Sequence, residues 1–287
     1  MRHPVVWATV VMVTFGVTAH SEDVGYSYDF SSLLRIDLAT GNVAPVGDPT
    51  YLPGGVRYFA LDTGGHLFGL SWNDELMSFD TSTGAVETHG TVTVPAGQFP
   101  DGLEFDLSGR LLLLAQSHPQ SALYEVDPAT AATTFLIWID GDDIHGLAIS
   151  ARGAYAVRRG HSISEIDLAT GSVTDLPGDG GNTFTSIDDL SFDGRGRLWA
   201  IEQLVGPVPP CQANTLVRFD LTTGDYAPMA PIPAGSPPTC LPALAIESMP
   251  ADPAIPILGP VGLMASVVLV VAAGVALLYF RRSSAAP

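Results

Sequence analysis

One feature constrains this sequence more than any other: a short element recurs five times between residues 33 and 230. Each copy alternates apolar and polar residues, passes through Asp-x-x-Thr-Gly or a close variant, and then alternates again. The aspartates of the five copies are Asp37, Asp80, Asp127, Asp167 and Asp220. An aspartate that can bind its own turn amides, followed by a glycine that accepts a positive φ, is typical of a β-hairpin. Each copy is therefore predicted to be a hairpin whose aspartate serves the turn.

A second hairpin, with a polar glycine turn between two apolar strands, precedes every copy except the first. Together the two hairpins make a four-stranded unit of about 40–50 residues, the size of one β-propeller blade. The first unit lacks its innermost strand, whereas a lone strand of that type, residues 243–248, follows the last unit. We therefore predict an all-β fold, a five-bladed β-propeller over residues 20–249 that is closed by this C-terminal strand. An open sandwich or a solenoid is the alternative.

Both ends of the chain differ from the repeats. Residues 1–19 join a short basic start to an apolar run and small residues, the pattern of a secretory signal peptide. Residues 250–256 form a proline-rich linker, and residues 257–280 carry no charge and are long enough for a transmembrane helix. The cytoplasmic tail, residues 281–287, begins with Arg281 and Arg282. Because positive residues remain in the cytoplasm, the propeller is predicted to lie outside the inner membrane, in the periplasm.

The charge distribution excludes several functions. All 30 acidic residues but only nine of the 12 arginines lie between residues 20 and 254, so this span has a net charge of −21. A field this negative opposes binding to nucleic acid or to anionic lipid. The chain has no lysine, which excludes Schiff-base chemistry within it. Its two cysteines, Cys211 and Cys240, are predicted to form a disulfide in an oxidising compartment.

The C-terminal segment has a recognisable order: Ile255, Pro256 and Leu258, then the apolar run, then the arginine pair. It resembles the bacterial IPTL-CTERM sorting signal, a relative of the PEP-CTERM system, although that pattern has threonine where this chain has Ile257. The resemblance implies recognition by an exosortase-like transpeptidase, removal of the tail and delivery to the cell surface or extracellular matrix. The repeats resemble NHL-like or quinoprotein-like propeller blades, which implies a fold and no particular function.

The inner strands predict where a site could form. Aligning them places one residue of each blade at the mouth of the central channel, with Asp142, Asp143 and Asp189 nearby. The five aligned residues are Arg57, Asp101, His145, Asp188 and Pro242. Carboxylates and an imidazole that converge on an axis could hold Ca²⁺ or another divalent cation, which makes Asp101, His145 and Asp188 candidate metal ligands. A solvated polar rim is the alternative.

No catalytic signature and no residue for an organic cofactor is evident in the sequence. We therefore expect a non-catalytic binding or structural module of an exported surface or matrix protein, with a polysaccharide or surface protein as ligand. The alternative is a Ca-type metal-dependent hydrolase or lactonase with its site at the axis, since Asp-Gly-Leu-x-Phe-Asp at Asp101 resembles gluconolactonase-like propellers. Packing is the expected role of Trp72, Trp138 and Trp199, and a sugar-stacking surface is the alternative.

Overall fold

The described residues of the computed structural model form 20 β-strands and no helix. They cover 23–52, 54–141, 143–158, 162–178, 186–205, 211–233 and 241–247. In chain order the strands are β1 (Val24–Tyr28), β2 (Leu33–Asp37), β3 (Val43–Val46), β4 (Val56–Leu61), β5 (Leu67–Ser71), β6 (Glu75–Phe79), β7 (Val86–Thr91), β8 (Phe99–Phe105), β9 (Leu111–Gln116), β10 (Ser121–Val126), β11 (Thr133–Ile139), β12 (Ile144–Ser150), β13 (Gly153–Arg158), β14 (Ser162–Ile166), β15 (Val173–Asp175), β16 (Leu190–Phe192), β17 (Leu198–Val205), β18 (Cys211–Phe219), β19 (Tyr226–Ile232) and β20 (Ala245–Glu247).

The strands make five antiparallel four-stranded sheets, which we call blades. Blades 2 to 5 each take four consecutive strands, starting at β4, β8, β12 and β16. Blade 1 has the order β20-β1-β2-β3, so the last strand of the chain pairs with the first, Val24 opposite Glu247 and Tyr26 opposite Ala245. The inner strands contact one another in a closed cycle: β4 with β8, then β12, β16, β20 and β4 again. The predicted five-bladed propeller and its closing strand are therefore confirmed.

The hydrophobic core is divided into five clusters, and each joins two neighbouring blades. Strand β9 shows why its sequence, LLLLAQ, is apolar without alternation. Leu111 and Leu113 pack towards blade 2, whereas Leu112 and Leu114 pack towards blade 4. A strand whose two faces are both buried reads as a continuous apolar run. Burial of each such leucine stabilises the fold by about 1.5–3 kcal/mol.

The repeated aspartates serve turns, as predicted. In each copy the carboxylate accepts the amide N–H two residues further on, at 2.8–2.9 Å. The Ser82 hydroxyl and amide lower the pKa of Asp80 to about 2. The glycine position has positive φ in every copy, including the third copy, where Ala131 takes a φ of 58°. An alanine tolerates this conformation less well than glycine does, and Ala131 is also buried in the core between blades 2 and 3.

Several predicted features lie outside the described residues. These are the signal peptide, the linker, the transmembrane helix and the cytoplasmic tail, together with Ile255, Pro256, Leu258, Arg281 and Arg282 of the sorting motif. Cys240 also lies outside them, so the Cys211–Cys240 disulfide stays a prediction. Within the described ranges, no helix is long and apolar enough to span a membrane.

Candidate ligand-binding mouth

The inner strands begin at one end of the channel, and three of them have a β-bulge near it; in β12 the bulge lies between His145 and Ala148. The ladder of β4 with β5 skips Arg57, between Val56 and Tyr58, and the ladder of β8 with β9 skips Asp101. A bulged residue leaves the ladder and bends the strand, which redirects its side chain. Aligning the inner strands of the repeats therefore identified the residues at this end of the channel. It could not show that two of them, Arg57 and Asp101, lie in bulges.

Asp101 is the centre of this region, and its side chain is only 1% exposed. Its Oδ1 accepts a hydrogen bond from Arg57 Nη2 at 2.9 Å and another from the Tyr58 hydroxyl. Its Oδ2 lies 2.8 Å from His145 Nδ1. Arg57 also donates from Nη1 to the carbonyl oxygen of Pro100 at 2.8 Å. The buried carboxylate is thus paired with a cation and hydrogen-bonded, as a buried charge requires.

His145 is oriented by this contact. Its Nδ1 faces Asp101, and its Nε2 makes no hydrogen bond with any described residue, while the side chain is 28% exposed. Burial acts to lower the pKa of His145, but the hydrogen bond to Asp101 and the charges of Asp101, Asp188 and Asp143 outweigh it and raise the pKa above its usual value. His145 therefore presents a polar, readily protonated nitrogen to the channel opening.

Asp188 completes the polar part of the opening. Its Oδ1 accepts from the Ser186 hydroxyl at 3.0 Å, and its Oδ2 accepts from Gln203 Nε2 at 3.3 Å. Burial raises the pKa of Asp188, and the charge of Asp101 adds to this, against the lowering effects of Ser186, Arg57 and His145. We call Arg57, Asp101, His145 and Asp188 the mouth. No sequence pattern pointed to the two supporting groups, Tyr58 and Gln203.

Asp189 follows Asp188 in the chain and interacts with its charge, but its carboxylate binds the backbone. It is buried, and its Oδ2 accepts the N–H groups of Phe59 and Leu244, both at 3.1 Å. Its Oδ1 accepts the N–H of Leu190 at 3.0 Å. The carboxylate therefore satisfies backbone groups of blades 1, 2 and 5 inside the channel. Burial raises its pKa well above the usual range.

Of the three predicted metal ligands, Asp101 and His145 contact each other at the mouth, whereas Asp188 interacts with them through its charge. Asp101 Oδ1 already accepts hydrogen bonds from Arg57 and Tyr58, His145 Nδ1 lies 2.8 Å from Oδ2, and Arg57 supplies the positive charge that a metal ion would bring. Among the described residues, no three His, Cys, Asp or Glu side chains are grouped so that they could hold a metal ion. Calcium binding by Asp101, His145 and Asp188 stays a prediction.

The strand order places four aromatic residues, in turns or at a strand start, at the end of the ring where the inner strands begin. We call them the aromatic rim: Phe30 (40% exposed), Tyr51 (74%), Trp72 (49%) and Phe99 (64%). Trp72 and Trp138 were expected to serve in packing, but each is nearly half exposed. Trp199, in contrast, is buried and donates from Nε1 to Asp193 at 2.8 Å, as a packing role requires.

The aromatic rim contacts the mouth, and the loops that carry its residues contact one another. The Arg57 guanidinium lies 4.6 Å from the centre of the Trp72 ring. The loop after Tyr51 approaches two neighbouring turns, and Gly54 and Gly55 in it have positive φ angles that favour glycine. A Cβ at Gly54 would lie 2.8 Å from Asn73 Nδ2, and one at Gly55 would lie 2.7 Å from the Phe30 ring. Phe30, Tyr51 and Trp72 therefore stand on adjoining loops.

No protein-family model and no curated protein matches the chain. Solved propeller structures are similar to it at low identity. A calcium-binding protein, regucalcin, from Agrobacterium tumefaciens is 19% identical, with 71% of this chain and 68% of that chain covered and a TM-score of 0.43. A gluconolactonase from Xanthomonas campestris is 16% identical, with 74% and 77% covered and a TM-score of 0.43.

A protein of unknown function from Bacteroides caccae is 10% identical, with 79% of this chain and 99% of that chain covered and a TM-score of 0.45. At these identities the similarities concern the propeller architecture alone. They assign no activity to this chain, so function has to be inferred from its own residues.

Proposed function

We propose that the propeller is a non-catalytic carbohydrate-binding module of an exported surface or matrix protein, and that the mouth and the aromatic rim form its binding face. The observation that carries this proposal is the position of four exposed aromatic residues on the one face where the polar mouth opens. Exposed apolar surface beside oriented polar groups is typical of a ligand site.

The chemistry of the face favours a sugar over other ligands. An aromatic ring can stack on the C–H face of a sugar, as it does on other flat apolar groups. The hydroxyl groups of a sugar need both donors and acceptors, which Arg57, His145 and Asp188 supply. Because the chain has a formal net charge of −18, a neutral sugar or an amino sugar is favoured over an acidic polysaccharide.

The chain offers a matched pair of variants for testing this. Trp72→Ala removes a rim residue, whereas Trp138→Ala removes a tryptophan of nearly equal exposure, 46%, on the outer strand β11. Titration calorimetry with neutral and amino-sugar oligosaccharides should show an affinity loss of about tenfold for Trp72→Ala, the factor given by about 1.4 kcal/mol. Trp138→Ala should bind like the wild type.

Phe99→Ala provides an independent rim variant, because Phe99 is 64% exposed and forms none of the hydrogen bonds of the mouth. It should also weaken binding. If no oligosaccharide binds the wild type, or if Trp138→Ala loses as much affinity as Trp72→Ala, the carbohydrate-binding proposal is wrong.

The location of the protein is a separate part of the proposal and rests on the sequence. The signal peptide would direct export, and the Ile255-Pro256-x-Leu258 motif would present the tail to an exosortase-like transpeptidase. Expression in a bacterium with such an enzyme should release a shortened propeller to the surface or medium. Pro256→Ala should leave the full-length chain in the inner membrane. Identical fractionation and mass of both chains would contradict the sorting proposal.

A further inference from the structure

A second cleft opens at the opposite end of the channel, where the inner strands end. Its volume is about 400 Å³, and its walls come from all five blades. Glu104 lies in it from blade 3, Arg152 from blade 4, Ser191 and Arg195 from blade 5, and Ile246 from blade 1. This volume is near the lower end of the range for small-molecule sites.

The turn aspartates that line this cleft are occupied by their own turns. Asp62 accepts the amide of His66, and Asp106 accepts the amide of Arg110. Asp193 accepts the amide of Arg197 at 2.9 Å and the Nε1–H of Trp199 at 2.8 Å. These carboxylates stabilise the hairpins, and they are not the groups that would recognise a ligand.

Glu104 is different. It is only 8% exposed, and its Oε1 accepts the N–H of Phe105 at 2.9 Å. Its Oε2 makes no hydrogen bond with any described residue, whereas both oxygens of the neighbouring channel carboxylate, Asp189, are bound to backbone N–H groups. Glu104 lines the cleft, so this oxygen is available to a ligand there. Burial, together with the charge of Asp189, raises the pKa of Glu104 well above its usual range.

The surroundings of Glu104 offer complementary chemistry. The Ser191 hydroxyl accepts the N–H of Ile246 at 3.0 Å and retains its own proton and a lone pair. At the outer edge of the cleft, Arg152 is exposed and has no ion pair among the described residues. Arg195 has only a distant one, with its Nε 3.9 Å from Asp23 Oδ2. The cleft therefore has a carboxyl group in its floor and two arginines at its outer edge.

We propose that this cleft binds a small zwitterion of amino-acid size, with its ammonium group at Glu104 and Ser191 and its carboxylate at Arg152 and Arg195. An ammonium group has three donors, which matches the free acceptors of the floor. An arginine pairs well with a carboxylate. The chain has no lysine, so no side chain of its own can supply the ammonium group. This site is independent of the carbohydrate-binding mouth.

The test is titration calorimetry of the propeller with the standard α-amino acids, each alone. The best of them is then compared with its N-acetyl and amide derivatives, which lack the ammonium and the carboxylate. Binding should require both groups, and each derivative should bind at least about tenfold more weakly, a difference of about 1.4 kcal/mol.

Two variants separate this site from general effects. Glu104→Gln, which is nearly isosteric, and Arg152→Gln, at an exposed position, should each lower affinity by about tenfold or more. Arg35→Gln, at an exposed and distant arginine on β2, and Trp72→Ala in the aromatic rim should leave binding unchanged. The proposal is overturned if no amino acid binds, if a blocked derivative binds as well as its parent, or if Arg152→Gln binds like the wild type.

Discussion

At the scale of single residues, Asp101 organises the mouth because one buried carboxylate serves three partners from two other strands. Arg57 and Tyr58 come from β4 and His145 from β12, while Asp101 itself comes from β8. Loss of this carboxylate would leave a cation and an imidazole without their acceptor. The sequence placed Asp101, His145 and Asp188 at one opening, but which donors each would bind depends on contacts between blades and could not be read from any one repeat.

The Asp101–His145 contact makes the free energy of unfolding depend on pH. The pKa of His145 is near 6.5 in the unfolded chain and is raised in the folded one. The folded state therefore holds its proton more tightly, and this stabilisation is complete below about pH 6.5 and is lost as pH rises through the folded pKa. A folded pKa that is higher than the unfolded pKa by one corresponds to about 1.4 kcal/mol of added stability.

We expect the stability advantage of the wild type over His145→Gln to be largest at about pH 5.5 and to shrink towards about pH 8.5. Urea unfolding across that range measures it. In an Asp101→Asn background, where the partner charge is absent, the same comparison should vary much less with pH. If the free energies of unfolding of the wild type and His145→Gln differ by the same amount at every pH, the contact does not favour the protonated ring.

At the scale of elements, the hairpins follow from local sequence and the bulges do not. An Asp-x-x-Thr-Gly turn needs only its own residues, since the aspartate binds an amide two positions away and the glycine takes the positive φ. The bulges at Arg57 and Asp101 appear only when β4 and β8 pair with their neighbours. The repeats therefore predict each hairpin correctly, whereas the directions of the mouth side chains require the paired sheet.

The inner strands need hydrogen-bond acceptors that no single blade supplies. Each has an edge that faces the channel, and backbone N–H groups on that edge need acceptors. The Asp189 carboxylate supplies acceptors for Phe59 and Leu244, and the Ser191 hydroxyl does so for Ile246. The sequence predicted only that Asp189 lies near the mouth. Its backbone role could not be predicted, because it exists only once the blades surround a channel.

At the scale of the whole molecule, ring closure was predictable because the strand count was unequal at the two ends. The first repeat lacked an inner strand and the last was followed by a spare one, so only their pairing completes five equal blades. Each of the five core clusters then lies between two blades, including the one between blades 5 and 1 that joins Trp199 and Ile201 to Leu244 and Ile246. No ligand follows from this architecture, which is why the proposed sites rest on particular side chains.

Closure can be tested by removing the last strand. A chain of residues 20–250 retains β20, whereas a chain of residues 20–242 loses Leu244 and Ile246, both buried. Burial of two such side chains contributes about 3–6 kcal/mol, a large part of the roughly 5–15 kcal/mol that stabilises a domain. The shorter chain also loses the Leu244 N–H that binds Asp189.

We therefore expect residues 20–250 to unfold in one cooperative transition and residues 20–242 to be largely unfolded or to melt far lower, as measured by calorimetry and near-ultraviolet circular dichroism. A synthetic peptide of residues 241–250 added to the shorter chain should restore part of the transition, because it can pair with β1 from outside. The Leu244→Ala, Ile246→Ala double variant of the longer chain controls for loss of packing with the backbone intact, and it should fall between the two. Equal melting temperatures for the two chains would mean that β20 does not hold the ring closed.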